Sequence, residues 1–169
     1  GKESRGGSEE VKDPVVELVE SLAQYAKDPL TFVYFAFPWG EPGTSIENMK
    51  GPQPWQVKIL MDIRDGLKTP DQVIQEAVAS GHGIGKSALV SWLILWAIST
   101  HEDTRGVVTA NTETQLRTKT WAELSKWFGI FRARILFKYT ATSIYSIDPK
   151  HEKTWRIDAI PWSKENTEA

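Results

Sequence analysis

The sequence predicts an α/β fold in which a parallel sheet is flanked by helices and a β-hairpin follows at the C-terminal end. Three observations lead there. Gly81-His82-Gly83-Ile84-Gly85-Lys86-Ser87 reads as a glycine-rich turn, the residues from Ser87 to Thr100 are apolar on nearly every side, and Gly106-Val107-Val108-Thr109-Ala110 reads as a strand beyond them. With Gln75 to Ala79 as a strand ahead of the turn, the order is strand, loop, helix, strand. That order is a βαβ unit, which implies parallel pairing and a right-handed crossover.

The elements can be justified in turn. Residues 1–12, opening Gly1-Lys2-Glu3-Ser4-Arg5-Gly6-Gly7-Ser8, read as a mobile polar tail. Asp13-Pro14 starts a helix in which Val15, Val16, Leu18, Val19, Leu22, Ala23 and Ala26 recur at helical spacing until Asp28-Pro29 ends the pattern. Thr31 to Phe37 is aromatic and β-branched, and Pro38-Trp39-Gly40-Glu41-Pro42-Gly43 then breaks regular structure. A second helix begins at Pro54-Trp55-Gln56 and runs to about Leu67, burying Ile59, Leu60 and Ile63. The helix from Ser87 to Thr100 would be about 21 Å long at 1.5 Å per residue. A helix without a polar face lies between layers of structure, and Ala88 to Ile98 is too short to span a bilayer. Gly106 to Ala110 is then a core strand, and Asn111-Thr112 leads into a helix over Glu113 to Phe128, with Thr112 and Gln115 at capping-box spacing. Tyr139 to Asp148 and Lys153 to Ile160 alternate like the arms of a hairpin joined at Pro149-Lys150-His151-Glu152.

Composition sets outer limits. A chain of 169 residues, 40% hydrophobic and 25% charged, fits one ordinary domain, and a net charge of −2 gives no global drive toward nucleic acid or membrane. The absence of cysteine excludes disulfides and thiolate metal sites and fits a reducing cytosol. His82, His101 and His151 lie far apart without metal-ligand spacing, so zinc chemistry has no sequence support. No secretory-signal pattern appears in the first residues given. The chain lacks an initiating methionine and stops in the polar run Trp162 to Ala169, so residues 13–169 read as the N-terminal portion of an incomplete domain from a longer protein.

The glycine-rich turn carries the chemistry. Glycines let successive backbone N–H groups point inward at phosphate, a lysine neutralises phosphate charge, and a hydroxyl meets Mg2+. Gly81, Gly83 and Gly85 supply the first part, Lys86 the second and Ser87 the third, and Ile84 belongs to the same nucleotide-binding loop; Ser80 stands where the strict pattern has a further glycine. The ligand is then ATP or GTP. Ser87 also suits a simple helix cap. His82 either donates to a phosphate or acts as a spacer whose backbone N–H matters. Gln56 offers a donor and an acceptor of the kind that pairs with adenine, or it is an ordinary residue of a first helical turn.

Two further features bear on function. Arg117, Lys119, Lys126, Arg132, Arg134 and Lys138 face the single acid Glu123, interleaved with Trp121, Trp127 and Phe131. This stretch is either a patch for a nucleic-acid backbone or a solvated helix face whose tryptophans point to the core. Hydrolysis additionally needs an acid at the end of an apolar strand to hold magnesium. Asp148 does not fit, because Ser143 to Asp148 alternates like a half-exposed hairpin strand.

Phe35-Ala36-Phe37-Pro38-Trp39-Gly40, Pro54-Trp55-Gln56, Ser80 through Ser87 and Thr109-Ala110-Asn111-Thr112-Glu113-Thr114-Gln115 together resemble the ATPase domain of the large terminase subunit of tailed bacteriophages. The resemblance covers about Asp28 to Phe128. It implies a RecA-like P-loop NTPase fold, ATP and Mg2+ as ligands, and Gln56 on the adenine. It also implies double-stranded DNA as track, a portal protein and a small terminase subunit as partners, a homo-oligomeric ring, and action in the bacterial cytoplasm at the procapsid. Thr109 to Gln115 is similar to a coupling segment shared with helicases. The family's acidic magnesium strand, catalytic glutamate and nuclease domain would lie downstream. Another DNA or RNA translocase or helicase, a small-molecule phosphotransferase, or a nucleotide-binding module without activity of its own are the alternatives; Arg105, Arg117, Arg132 and Arg134 are all conceivable arginine fingers.

Overall fold

The computed structural model describes residues 11, 13–66, 69, 72–73, 85–109, 114 and 116–160. The expected tail apart from Val11, the strand over Gln75 to Ala79, the loop residues Gly81, His82, Gly83 and Ile84, the capping pair Thr112 and Gln115, and Trp162 to Ala169 lie outside them.

Helix α1 spans Pro14–Ala23; the Asp13 carboxylate accepts the Val15 N–H at 2.9 Å, and Pro14 occupies the first position, where its missing N–H costs nothing. It ends earlier than its apolar pattern. The chain turns over residues 24–27, where the Tyr25 carbonyl accepts both the Asp28 N–H and the Trp96 indole N–H, the latter at 2.7 Å. Asp28-Pro29 closes one helix pattern and opens the next. Asp28 caps α2 (Pro29–Ala36) by accepting the Thr31 N–H at 3.1 Å. The aromatic, β-branched run is therefore helical, with Phe32, Val33 and Ala36 buried; a strong cap and core burial override a composition suited to strands. Helix α3 (Pro54–Gly66) packs on α2 and buries Gln56 and Leu60, while Ile59 and Ile63 are half-buried against the core.

Helix α4 (Lys86–Thr100) lies at the centre, with every residue from Ala88 to Ser99 buried. Helices α1 and α2 pack on it, as does α5 (Ala122–Gly129). Trp92 sits among aromatic rings: Trp127 meets it edge to face at 5.2 Å between centroids, Trp39 does so at 5.7 Å, and Phe37 lies 6.5 Å away. Such pairs add about 0.5–1.5 kcal/mol each beyond the area they bury. The expected helix over Glu113 to Phe128 is present in altered form. A short π-helical segment, Leu116–Trp121, precedes α5, and Trp121 is fixed there by its indole N–H on the Thr140 carbonyl (2.9 Å) and by the Tyr139 hydroxyl on its own carbonyl (2.7 Å). Burial raises the pKa of that phenol, so Tyr139 stays a neutral donor.

Four strands form one mixed open sheet in the order β1-β4-β3-β2, with β1 at Arg105–Val108, β2 at Phe137–Tyr139, β3 at Ser143–Ser146 and β4 at Arg156–Ala159. The expected hairpin is β3 paired antiparallel with β4, Ile144 opposite Ile157; β2 adds to it, pairing antiparallel with β3. Only β1 and β4 run parallel, Val107 opposite Asp158. The fold is thus α/β, with one parallel pair among its described strands. β1 is also less buried than a core strand: Val108 is inside, but Val107 is 53% exposed at the sheet's edge. Helix and sheet are joined by the Trp155 indole N–H on the Ile98 carbonyl (2.7 Å) and the Thr104 hydroxyl on the Ala97 carbonyl (3.1 Å).

Two outcomes follow from these placements. Leu93→Ala removes a fully buried side chain of α4 and is expected to cost about 2–5 kcal/mol in urea unfolding, whereas Val107→Ala on the exposed face of β1 stays within about 1 kcal/mol. His101, just past α4, has its pKa lowered by burial. The unfolded chain therefore takes up the proton first, so this contribution to stability is complete above the unfolded value near 6.5 and is lost as pH falls through it toward the folded value. His101→Gln should flatten the fall of the urea midpoint between about pH 7 and the onset of carboxylate titration.

Candidate phosphate-loop site

The described part of the glycine loop is Gly85-Lys86-Ser87, where the chain enters α4. Gly85 is the N-cap, in the left-handed conformation at φ 85° and ψ 0°, which glycine adopts without steric penalty. Having no side chain, it offers no cap oxygen to the first helical N–H groups. A helix start of this kind leaves backbone donors and the positive end of the dipole for an anion. Lys86 is the first helical residue and is half-buried, and Ser87 is exposed one position on. The two residues that sequence reasoning assigned to phosphate and magnesium thus stand in the first turn of the most buried helix of the chain.

Helix α3 brings a third predicted residue to the same place. Gln56 is only 3% exposed, although a first-turn glutamine is ordinarily a surface residue. Its Nε2 donates to the Gly85 carbonyl at 2.9 Å, and its Oε1 accepts the Gln53 N–H at 2.8 Å. A carbonyl on one side and an N–H on the other fix which end of the amide is nitrogen. The second contact is half of a capping box: Gln53 precedes the helix, Gln56 lies three residues later, and its side chain reaches back to the free N–H. The glutamine spacing was the available sequence signal for that contact. The contact to Gly85, across 29 residues, had none. The amide that the resemblance aims at adenine is thus engaged on the backbone in this state.

Packing between α3 and the loop end is tight. A Cβ on Gly85 would lie 3.0 Å from Gln56 Nε2 and 3.2 Å from Trp55 Cζ2. Conformation and space therefore both require glycine here.

Other predicted residues fall elsewhere. Thr109 lies just past β1, and the rest of the segment to Gln115 is outside the described residues save Thr114. Asp148 is exposed in the β3–β4 turn, where its carboxylate accepts the Lys150 N–H at 3.0 Å. Arg132 pairs with Glu41 at 2.6 Å, while Arg105, Arg117 and Arg134 are exposed. In the basic stretch, Trp121, Trp127 and Phe131 are all buried. Those aromatics belong to the core and provide no stacking platform, and the solvated-face alternative describes their placement.

Sequence spacing also missed one cluster. Glu102, Asp103 and His151 bring ligand-type atoms within 4.8 Å of one another, with His151 Nδ1 3.1 Å from Asp103 Oδ1 and the Thr154 hydroxyl 3.2 Å from the same oxygen. Only the fold joins these residues, which is why linear spacing gave no hint of them. The group is exposed or half-buried, and its contacts tie the β3–β4 turn to the turn before β1.

No family model matches the chain, and no curated protein or solved structure matches it either.

Gly85→Ala is expected to destabilise the protein by about 1–2 kcal/mol from the left-handed backbone alone, with a further loss from the displaced amide. In Gln56→Ala that amide is gone, so the penalty of Gly85→Ala should be smaller there than in wild type, and thermal unfolding of the double-mutant cycle measures the difference. Additive losses would mean that the two residues do not interact.

Proposed function

We propose that this chain binds a nucleoside triphosphate, with ATP as ligand, and forms the ATP-binding part of a viral DNA-packaging motor of the large terminase type. The observation that carries the reading is Gly85 in a left-handed conformation followed by Lys86 and Ser87 in the first turn of a buried helix. This supplies a lysine, a hydroxyl and outward backbone donors in the order a phosphate loop uses. A RecA-like P-loop NTPase fold would complete the parallel β1–β4 pair with further parallel strands. In this reading Gly81, His82, Gly83 and Ile84 contribute loop amides, Lys86 lies between the β- and γ-phosphates, and Ser87 supplies one oxygen to Mg2+. The exposed Ser87 side chain fits that role, since Mg2+ takes oxygen ligands and keeps phosphate and water for the rest of its shell.

The wider reading rests on the resemblance of the four segments. Double-stranded DNA is the track, a portal protein and a small terminase subunit are the partners, a homo-oligomeric ring is the assembly, and the host cytoplasm at the procapsid is the place of action. None of the described helices is long and apolar enough to cross a membrane. ATP turnover would be coupled to DNA translocation, with the acidic magnesium strand supplied from outside the described residues.

Calorimetry tests the core of this reading. Wild type should bind MgATP and Lys86→Ala should lose measurable binding, because the residue is the one cation the loop places on the phosphates. Unchanged affinity in Lys86→Ala would sink the assignment. DNA-stimulated ATP turnover by a longer protein containing this chain would support the motor, and turnover that requires a small hydroxylated acceptor would favour a phosphotransferase.

A further inference from the structure

We infer that Gln56 acts as a base-independent positioning residue, a latch that holds the Gly85–Lys86 peptide in its phosphate-binding orientation and does not read the nucleobase. The inference rests on the proposed triphosphate site and specifies how that site is organised.

The Gly85 carbonyl accepts two donors, the Leu89 N–H of the first helical turn at 3.2 Å and the Gln56 amide at 2.9 Å. Both lone pairs of that oxygen are thereby used. The peptide joining Gly85 to Lys86 is planar, so its carbonyl and the Lys86 N–H point in opposite directions. Fixing the carbonyl toward the body of α4 therefore fixes the Lys86 N–H outward, at the helix start where an anion would sit. The latch is itself anchored. The Gln53 N–H holds the other end of the amide, and the side chain is buried. A buried amide satisfied at both ends loses two hydrogen bonds when it swings out. Adenine would have to offset that loss before any reading began.

The experiment compares a ligand that has a base with one that has none. Calorimetry of the 169-residue chain with MgATP, MgGTP and magnesium tripolyphosphate would be run on wild type, Gln56→Met and Gln56→Ala, with thermal unfolding as a control for global stability. Gln56→Met keeps the length and adds no charge but donates nothing to the Gly85 carbonyl. The latch predicts that both variants lose affinity for all three ligands by the same factor, about five- to tenfold, including tripolyphosphate. Tripolyphosphate affinity unchanged while ATP affinity falls would overturn the inference and restore an adenine reader. If wild type binds none of the three, the triphosphate site itself is wrong, a separate outcome. Should the variants fail to fold, wild type decides. A nuclear Overhauser contact between the Gln56 amide protons and the Leu89 N–H that persists on ATP saturation supports the latch, and its replacement by a contact to an adenine proton refutes it.

Discussion

A helix with no polar face has to be covered on every side, and most of this structure can be read as the means of covering α4. Helices α1, α2 and α5 pack on it. Where α4 and its surroundings meet, several polar groups are matched individually, the buried Trp92 indole N–H being an exception: the Trp96 indole reaches the Tyr25 carbonyl, the Trp155 indole reaches Ile98, and the Thr104 hydroxyl reaches Ala97. These bonds satisfy groups that burial would otherwise penalise by about 1–3 kcal/mol each. They also hold α4 at several points along its length. Its first turn, which carries Lys86, therefore projects from a fixed base, as a preorganised anion site requires.

How far the sequence revealed this depends on the range of the determining interaction. Helix α4 was legible because its twelve consecutive buried positions hold no charged residue and only two small polar ones, Ser91 and Ser99. The β3–β4 pairing was legible from alternation on either side of a turn. Helix α2 was harder, since Thr31 to Phe37 has strand-forming side chains and its helical state comes from Asp28 ahead of it and from the core around Phe32 and Val33. β1 looked like a core strand because Val107 and Val108 are both apolar, but successive side chains point to opposite faces, and among the described residues only the face of Val108 is covered.

The candidate site divides along the same line. Gly85-Lys86-Ser87 is a local signal, and a left-handed glycine before a helix is its local consequence. Gln56 drew attention as a side chain with paired donor and acceptor, yet the partners it takes are backbone groups, one three residues away and one in the loop. The second is a tertiary contact without a sequence pattern. The same holds for His151 with Asp103, which the β3–β4 turn brings to the turn before β1.

The division of labour in the stretch from Arg117 to Lys138 constrains any nucleic-acid role. Its tryptophans and Phe131 are built into the core, with Trp127 edge to face on Trp92 and Phe131 beside Phe37, so moving them outward would open the packing around α4. The charges at its surface are carried by Arg117, Lys119, Lys126, Arg132, Arg134 and Lys138, beside the exposed Ile135. Charge without exposed aromatics can meet phosphates but offers no platform on which bases stack. Contacts of that kind weaken steeply as salt rises, because the counterions released on binding then gain less entropy, and they impose no sequence register on the protein. Under the proposed reading, such a surface suits a protein that must move along its track, because a base-specific grip would have to be broken at every step.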